Sequence, residues 1–312
     1  NSSLIYTLIG ELQNMRAGNN DWMQAREFQA ETYGYDKYLG GCHMIPNHAI
    51  IILSLLFGDD DLQKTLMIVN TAGHDTDCNS GNVGCIMGIK NGLEGLRNGP
   101  DYLTPIQDRM YCPTANGGET QTDALTEAYK VINTAKKMNK EETVEPKNGS
   151  RFHFEMPGSV QGWRSSFKNN KNISTIVQNT EYESSIGKRA LEIKFDRVAP
   201  GVCSEAVVDT FFPQELYELT GSARERFFQS YNFISCPLLY SGQNIESEII
   251  FKSNSQKPIT VTCFINVFGE EDNYERINSD SVVLFPDKSQ KLKWKIPSTE
   301  GNPITQVGFS IE

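Results

Sequence analysis

The spacing of apolar residues changes once along this chain, and that change constrains the fold more than any other feature. Up to about residue 138, apolar residues return every three or four positions. That is the period of a helix with one buried face. Leu4, Ile5, Leu8, Ile9 and Leu12 are the first such set. From about residue 150 they alternate, the period of a strand with one buried face. One pattern cannot serve as the other, because a period of two would send half of a helical stripe into water. The chain therefore reads as a multidomain α and β protein: an all-α domain over 1–138 and an antiparallel β-sandwich over 150–312. Between them, Asn139-Lys-Glu-Glu-Thr-Val-Glu-Pro-Lys-Asn-Gly149 is polar and punctuated by Pro and Gly. It reads as a linker over 139–149. The length of 312 residues suits two domains of about 100–200 residues each.

The spacing predicts helices over 4–15, 22–32, 48–57, 62–71, 81–96 and 123–137. It predicts strands over 151–155, 190–195, 206–211, 245–251, 259–268, 281–285, 291–296 and 305–311. A chain that begins inside an amphipathic helix is expected to be a piece of a longer or processed protein. Lys and Arg number 29 against 39 Asp and Glu, a net charge of −10. Phosphate binding needs a basic face, so nucleic acid is not an expected partner. No run approaches the ~18 apolar residues of a membrane span. The seven Cys contain no CxxC pair, which fits neither a disulfide framework nor a zinc ribbon. A reducing, cytoplasmic location is expected, with secretion or a periplasmic location left open.

The chemistry concentrates in Asn70-Thr-Ala-Gly73-His74-Asp75-Thr-Asp77-Cys78-Asn79-Ser-Gly81-Asn-Val-Gly84. Two carboxylates two residues apart point about 200° apart on a helix. They converge only from a loop or from the start of a helix, and Gly73 permits the sharp backbone this needs. Converging carboxylates suit a hard divalent cation. They equally suit helix capping, which the dipole favours. Gly81, Gly84 and Gly88 follow, each weakening a helix by about 1 kcal/mol, and a smooth face for a neighbouring helix explains them. Asp59-Asp60-Asp61, the other acidic cluster, reads as a cap and a solvated turn.

The wider string Gly73-His-Asp-Thr-Asp-Cys-Asn-Ser-Gly-Asn-Val-Gly-Cys-Ile-Met-Gly88 resembles the C-terminal signature of the ADP-ribosylglycohydrolase family. His43-Met-Ile-Pro-Asn47, Leu55-Leu-Phe-Gly-Asp59-Asp-Asp-Leu62 and Ile68-Val-Asn70 resemble the segment that precedes it, and the likeness covers about 1–137. It implies an all-α fold, a cleft with two Mg²⁺ ions, and hydrolysis of the glycosidic bond at the anomeric carbon of ADP-ribose. Asp75 and Asp77 match the signature's metal-ligating carboxylates, and both are the implied catalytic residues. Cys78 stands where many members have a hydroxyl ligand. A thiol is a poor partner for Mg²⁺, so the backbone or a water replaces it, or one metal position is weaker. His43, Asn47 and His74 are the expected substrate-binding residues. The family's Thr-Asp-Asp string, the other half of its metal site, does not precede Asp75. The site is therefore expected to be completed by an absent segment or a second chain.

In the strand-rich half, Arg151-Phe-His-Phe-Glu155-Met-Pro-Gly-Ser-Val-Gln-Gly-Trp163 resembles the opening of galactose-binding-like, carbohydrate-binding jelly rolls. That likeness implies a structural Ca²⁺ held in part by Glu155. Trp163, Tyr240 and Trp294 either stack on a sugar or fill the core. The leading expectation is a Mg²⁺-dependent hydrolase of ADP-ribose conjugates or other glycosyl compounds. The alternative is a non-catalytic glycan- or partner-binding protein with a degenerate hydrolase domain.

Overall fold

A computed structural model describes residues 3–112, 117–166, 175–213, 216, 219–230, 235–270 and 273–312. Contacts divide the chain into two compact units, Asn1–Tyr102 and Leu103–Glu312.

The first unit is helical: α1 (Leu4–Ala17), α2 (Trp22–Tyr33), α3 (Met44–Phe57), α4 (Leu62–Thr71) and α5 (Thr76–Arg97). Side chains satisfy the orphan amides at the helix starts. Ser3 caps α1, Asp61 caps α4, and Asp21 and Gln24 form a reciprocal capping box on α2. Leu8 and Leu12 of α1 meet Ala25 and Tyr33 of α2 and Ala49, Leu53 and Phe57 of α3 in one buried cluster. A second cluster of Ile50, Leu62, Val69, Val83 and Met87 ties α3, α4 and α5 together. Each large side chain buried this way contributes about 1.5–3 kcal/mol. The turn Asp59-Asp60-Asp61 is neutralised by its neighbours: Asp59 pairs with Arg16 and Lys64, and Asp60 with Lys90.

Two helices start earlier than their apolar spacing indicates. His43 caps α3, and Pro46-Asn47 in its first turn reads in sequence as the end of a loop. The helix α5 starts at Thr76, five residues before the first predicted helical position, so Asp77 and Cys78 occupy its first turn.

The second unit carries β1 (Arg109–Tyr111), β2 (Gln121–Asp123), α6 (Ala124–Met138), β3 (Arg164–Ser165), β4 (Thr175–Glu181), β5 (Arg189–Phe195), β6 (Ser204–Asp209), α7 (Gly221–Ser230), β7 (Asn244–Ile250), β8 (Ile259–Phe268), β9 (Tyr274–Leu284), β10 (Ser289–Lys295) and β11 (Ile304–Ile311). An antiparallel sheet runs in the order β3-β6-β11-β8-β9. The hairpin β4-β5 and the pair β7-β10 bring Val177, Leu191, Ile193, Ile245, Ile249 and Leu292 against it. There they meet the buried Ala206, Val208, Cys263, Ile265 and Val307. That is a sandwich of antiparallel sheets. Among the described residues no helix is long and apolar enough to cross a membrane.

The unit boundary differs from the expected 139–149 linker. Helix α6 belongs with the strands: Asp123, 1% exposed, caps it and pairs with Arg151 at 2.6 Å. Lys147, inside the supposed linker, reaches Glu155 and the Arg189 carbonyl. The predicted strand over 151–155 does not form. The Gln161 side chain accepts the His153 and Phe154 N–H groups at 2.8 and 2.9 Å, and Phe154 has φ 58°. Those amides are taken before a ladder could use them, and left-handed backbone does not pleat.

Arg164 and Asp209 form a buried bidentate pair at 2.9 and 3.0 Å, and Gln306 adds a bond to Asp209 at 2.9 Å. Removing Arg164 leaves the buried Asp209 with only the more distant Arg109, at 3.9 Å, and the Gln306 amide. Arg164→Met is expected to lower stability by about 3–5 kcal/mol in urea unfolding. Adding Asp209→Leu to that variant is expected to restore much of the loss. A single variant of wild-type stability would show that the pair carries no such weight.

Candidate metal centre

The loop between α4 and α5 turns through Gly73, His74 and Asp75, with φ values of 79°, 57° and 61°. Left-handed backbone costs a non-glycine residue about 1–3 kcal/mol, and Asp tolerates it better than most. Four interactions hold the turn. The Asn79 side chain, 1% exposed, donates Nδ2 to the His74 carbonyl at 2.6 Å. Arg26 donates Nε to the Ala72 carbonyl. The Tyr35 ring lies 4.5 Å from the His74 ring, and Gln29 Nε2 is 3.4 Å from His74 Nδ1. Burial, followed by the Arg26 guanidinium, pushes His74 below the ordinary histidine range. At neutral pH it is an uncharged ring packed under the loop.

Asp75 occupies the N-cap position of α5, yet its side chain makes no capping bond. Its Oδ2 accepts instead from Asn47 Nδ2 at 2.7 Å, and Tyr35 OH donates to Asn47 Oδ1. A relay from α3 thus orients the carboxylate. Asp77 and Cys78 are exposed on the first turn of α5. One ligand atom from each of Asp75, Asp77 and Cys78 lies within 4.8 Å of the others. This is the only such group of three His, Cys, Asp or Glu residues among the described residues. Hydrogen bonding to Asp75 pushes the Cys78 thiol up. The Asp75 charge does the same to Cys42, in the loop before α3. Among the described residues neither Asp75 nor Asp77 has a Lys or Arg partner, unlike Asp59 and Asp60.

The donor set fits the expected pair of Mg²⁺ ions only in part. Mg²⁺ demands near-octahedral oxygen ligands. Asp75 and Asp77 supply oxygens, Cys78 supplies sulfur, and the described residues offer no second cluster for another ion. Of the expected substrate-binding residues, Asn47 and His74 flank the cluster. His43 stands at the start of α3, where its Nδ1 accepts the Ile45 N–H at 3.1 Å and its ring lies 5.4 Å from Tyr38. Sequence reading singled out neither Tyr35 nor Cys42. No spacing rule links Tyr35 to Asp75 across forty residues.

Glu155 lies in the other unit. Burial alone would raise its pKa. The Lys188 and Arg189 amides and the Lys147 ammonium outweigh that and hold it below the usual carboxylate range. Among the described residues no group of three Asp, Glu, His or Cys ligands includes Glu155, and Lys147 supplies its neutralising charge at 3.3 Å. Trp163 is 5% exposed and packs between Phe152 and Phe309 in the core, and Trp294 packs against the same core. Tyr240 is exposed.

No family model matches this chain, and no curated protein matches it. Some solved structures are similar. The CBM22-1 xylan-binding domain of Paenibacillus barcinonensis Xyn10C is 10% identical with a TM-score of 0.32, over 51% of this chain and 86% of that one. The C-terminal family 22 carbohydrate binding module of Clostridium thermocellum Xyn10B is 14% identical with a TM-score of 0.31, over 51% and 86%. The CBM22-1-CBM22-2 tandem domain of the Paenibacillus protein is 11% identical with a TM-score of 0.29, and this chain spans 39% of its length.

Asn79→Ala removes the buried amide that holds the turn. Loss of a bond to a buried carbonyl costs about 1–3 kcal/mol. The expected result is a destabilisation of that size in urea unfolding, with faster amide exchange over 73–78. Unchanged exchange there would show that the turn holds itself.

Proposed function

We propose that the helical unit carries part of a divalent-cation site in a hydrolase that cleaves the glycosidic bond of ADP-ribose conjugates, with further ligands contributed by another polypeptide segment or a partner subunit. The observation that carries this reading is the convergence of Asp75, Asp77 and Cys78, with Asp75 turned away from the helix it should cap. A carboxylate that only capped would face the amides of α5. This one is held by Asn47 and faces its neighbouring donors.

The chain's own residues supply three functions in this reading. Asp75, fixed by the Asn47 relay, accepts hydrogen bonds from a ribose hydroxyl or from the attacking water. Asp77 places a second negative charge beside the anomeric carbon, where positive charge develops as the bond breaks. Tyr35 and the neutral His74 ring form the floor beneath them.

The test is calorimetry of the whole chain with ADP-ribose in the presence of a divalent ion. Asp75→Asn and Asp77→Ala are each expected to weaken binding at least tenfold, about 1.4 kcal/mol. Binding that is unchanged in both variants would remove the hydrolase reading.

A second reading is a glycan-binding protein. The sandwich unit, taken as a galactose-binding-like jelly roll, contains a cleft of about 2560 Å³ walled in part by Tyr182, Arg189, Arg151 and Lys130. An aromatic ring and cationic donors lining one cleft suit a polyhydroxylated ring. Affinity electrophoresis in xylan and other soluble glycans tests it. Retention that survives Asp77→Ala and falls in Tyr182→Ala favours this reading; no retention in any glycan disposes of it.

A further inference from the structure

We infer that the sandwich cleft takes a neutral polyhydroxylated ligand, and that the Trp163 indole N–H, the Gln121 carbonyl oxygen and the Ser247 hydroxyl are the groups that read it. The inference rests on the reading of this cleft as a glycan site; it names the class of glycan and the atoms that select it.

Three residues lining the cleft carry side-chain polar atoms that are buried without a hydrogen-bond partner: Trp163 Nε1, Gln121 Oε1 and Ser247 Oγ. The Trp163 ring, 5% exposed, stacks on Phe309 and meets Phe152 edge to face, and both of those rings also line the cleft. The ring fills the core while its N–H stays unused. Gln121, also 5% exposed, stands on β2. Its Nε2 donates to Ser235 Oγ at 3.4 Å, and that hydroxyl donates in turn to the Cys236 carbonyl at 3.3 Å. The chain of donors fixes the orientation of the amide, and Oε1 is its free end. On β7, Ser247 falls between Ile245 and Ile249 on the row that packs toward the core. A hydroxyl there interrupts an apolar face.

Orphaned polar groups are rare in folded proteins, because losing water without gaining a partner costs free energy. A mostly apolar lining with a few placed polar groups is the make-up of a ligand site. The chemistry of these groups selects the ligand. An indole N–H only donates and a carbonyl oxygen only accepts. A hydrocarbon leaves every one of them unpaired. A carboxylate satisfies Trp163 but repels Gln121 Oε1, and an ammonium group does the reverse. A sugar hydroxyl both donates and accepts, so one kind of group answers them all. The C–H faces of a sugar ring suit the cleft walls at Leu191, Ile193 and Phe309. A site built to bond hydroxyls rejects analogues that lack them, since its buried groups are then left unpaired.

Two variants separate reading a ligand from holding the fold. Ser247→Ala removes an unpartnered hydroxyl from an apolar face, so the urea midpoint is expected to stay or rise while affinity falls. Trp163→Phe keeps an aromatic ring and removes the N–H; should it fail to fold, Gln121→Met takes its place. Affinity electrophoresis of the whole chain is run in neutral arabinoxylan, in hydroxyethylcellulose and in polygalacturonate. Retention in a neutral glycan is expected to weaken about tenfold in each variant. In a proton–nitrogen correlation spectrum, the indole peak missing from Trp163→Phe is expected to shift when the retained glycan is added to the wild-type chain. If both variants bind as the wild type does, the glycan reading stands and this inference falls. Stronger retention in polygalacturonate than in either neutral glycan also overturns it. If affinity falls in Ser247→Ala only together with the urea midpoint, the hydroxyl is structural and the inference falls. No retention of the wild-type chain in any glycan ends the glycan reading and the inference together.

Discussion

Asn79 holds the carbonyl of His74 across a turn in which three successive residues have positive φ. The placement of Asp75 off the cap of α5 depends on that turn. If the turn relaxed to ordinary backbone, Asp75 would become a conventional cap, with its carboxylate on the amides of α5. The two non-glycine residues in the turn cost about 1–3 kcal/mol each. One buried amide, one arginine on Ala72 and the Tyr35 ring tilted against His74 offset that cost. The cluster is therefore a product of the support beneath the loop as much as of the Asp-x-Asp spacing.

The division into helical and strand-rich parts was legible because period is a property of neighbours in sequence. Strand β8 (Ile259–Phe268) matches its predicted span residue for residue, since its alternation is unbroken by turn residues. The unit boundary was less legible. Helix α6 has a helical pattern, but its membership in the strand-rich unit depends on Asp123 meeting Arg151 and on Lys147 meeting Glu155. Those pairs join residues that no local pattern connects. Strand β4 (Thr175–Glu181) was missed because it is mostly polar, and its pairing with β5 defines it. At the candidate site, Asp75, Asp77, Cys78, Asn47 and His74 do stand together, whereas His43 is a helix cap beside Tyr38.

The lost strand at 151–155 shows how a side chain can override a pattern. Phe152 and Phe154 alternate with polar residues, and strand propensity is satisfied. Gln161, 1% exposed, nevertheless captures two of the amides that a ladder would need. Asp108 then accepts from the Ser159 hydroxyl and from the amides of Val160 and Gln161 at 2.6, 2.8 and 3.1 Å. One half-buried carboxylate organises the whole bend. A buried polar group of this kind is costly unless every bond is made, so the bend is fixed once it forms.

The two acidic strings of the helical unit separate structure from chemistry. In Asp59-Asp60-Asp61 each carboxylate has an employer: two meet Arg16, Lys64 and Lys90, and the third caps α4. Surface pairs of that sort are worth about 0–1 kcal/mol each, and they leave no net field. Asp75 and Asp77 stand beside each other and beside two thiols, with no Lys or Arg partner among the described residues. Like charges at that range repel, and a fold gains no stability from holding them together. Spacing alone does not separate the strings, because both are short acidic runs before a helix. What separates them is the countercharge: Lys and Arg side chains supply it at the first, and among the described residues none does at the second.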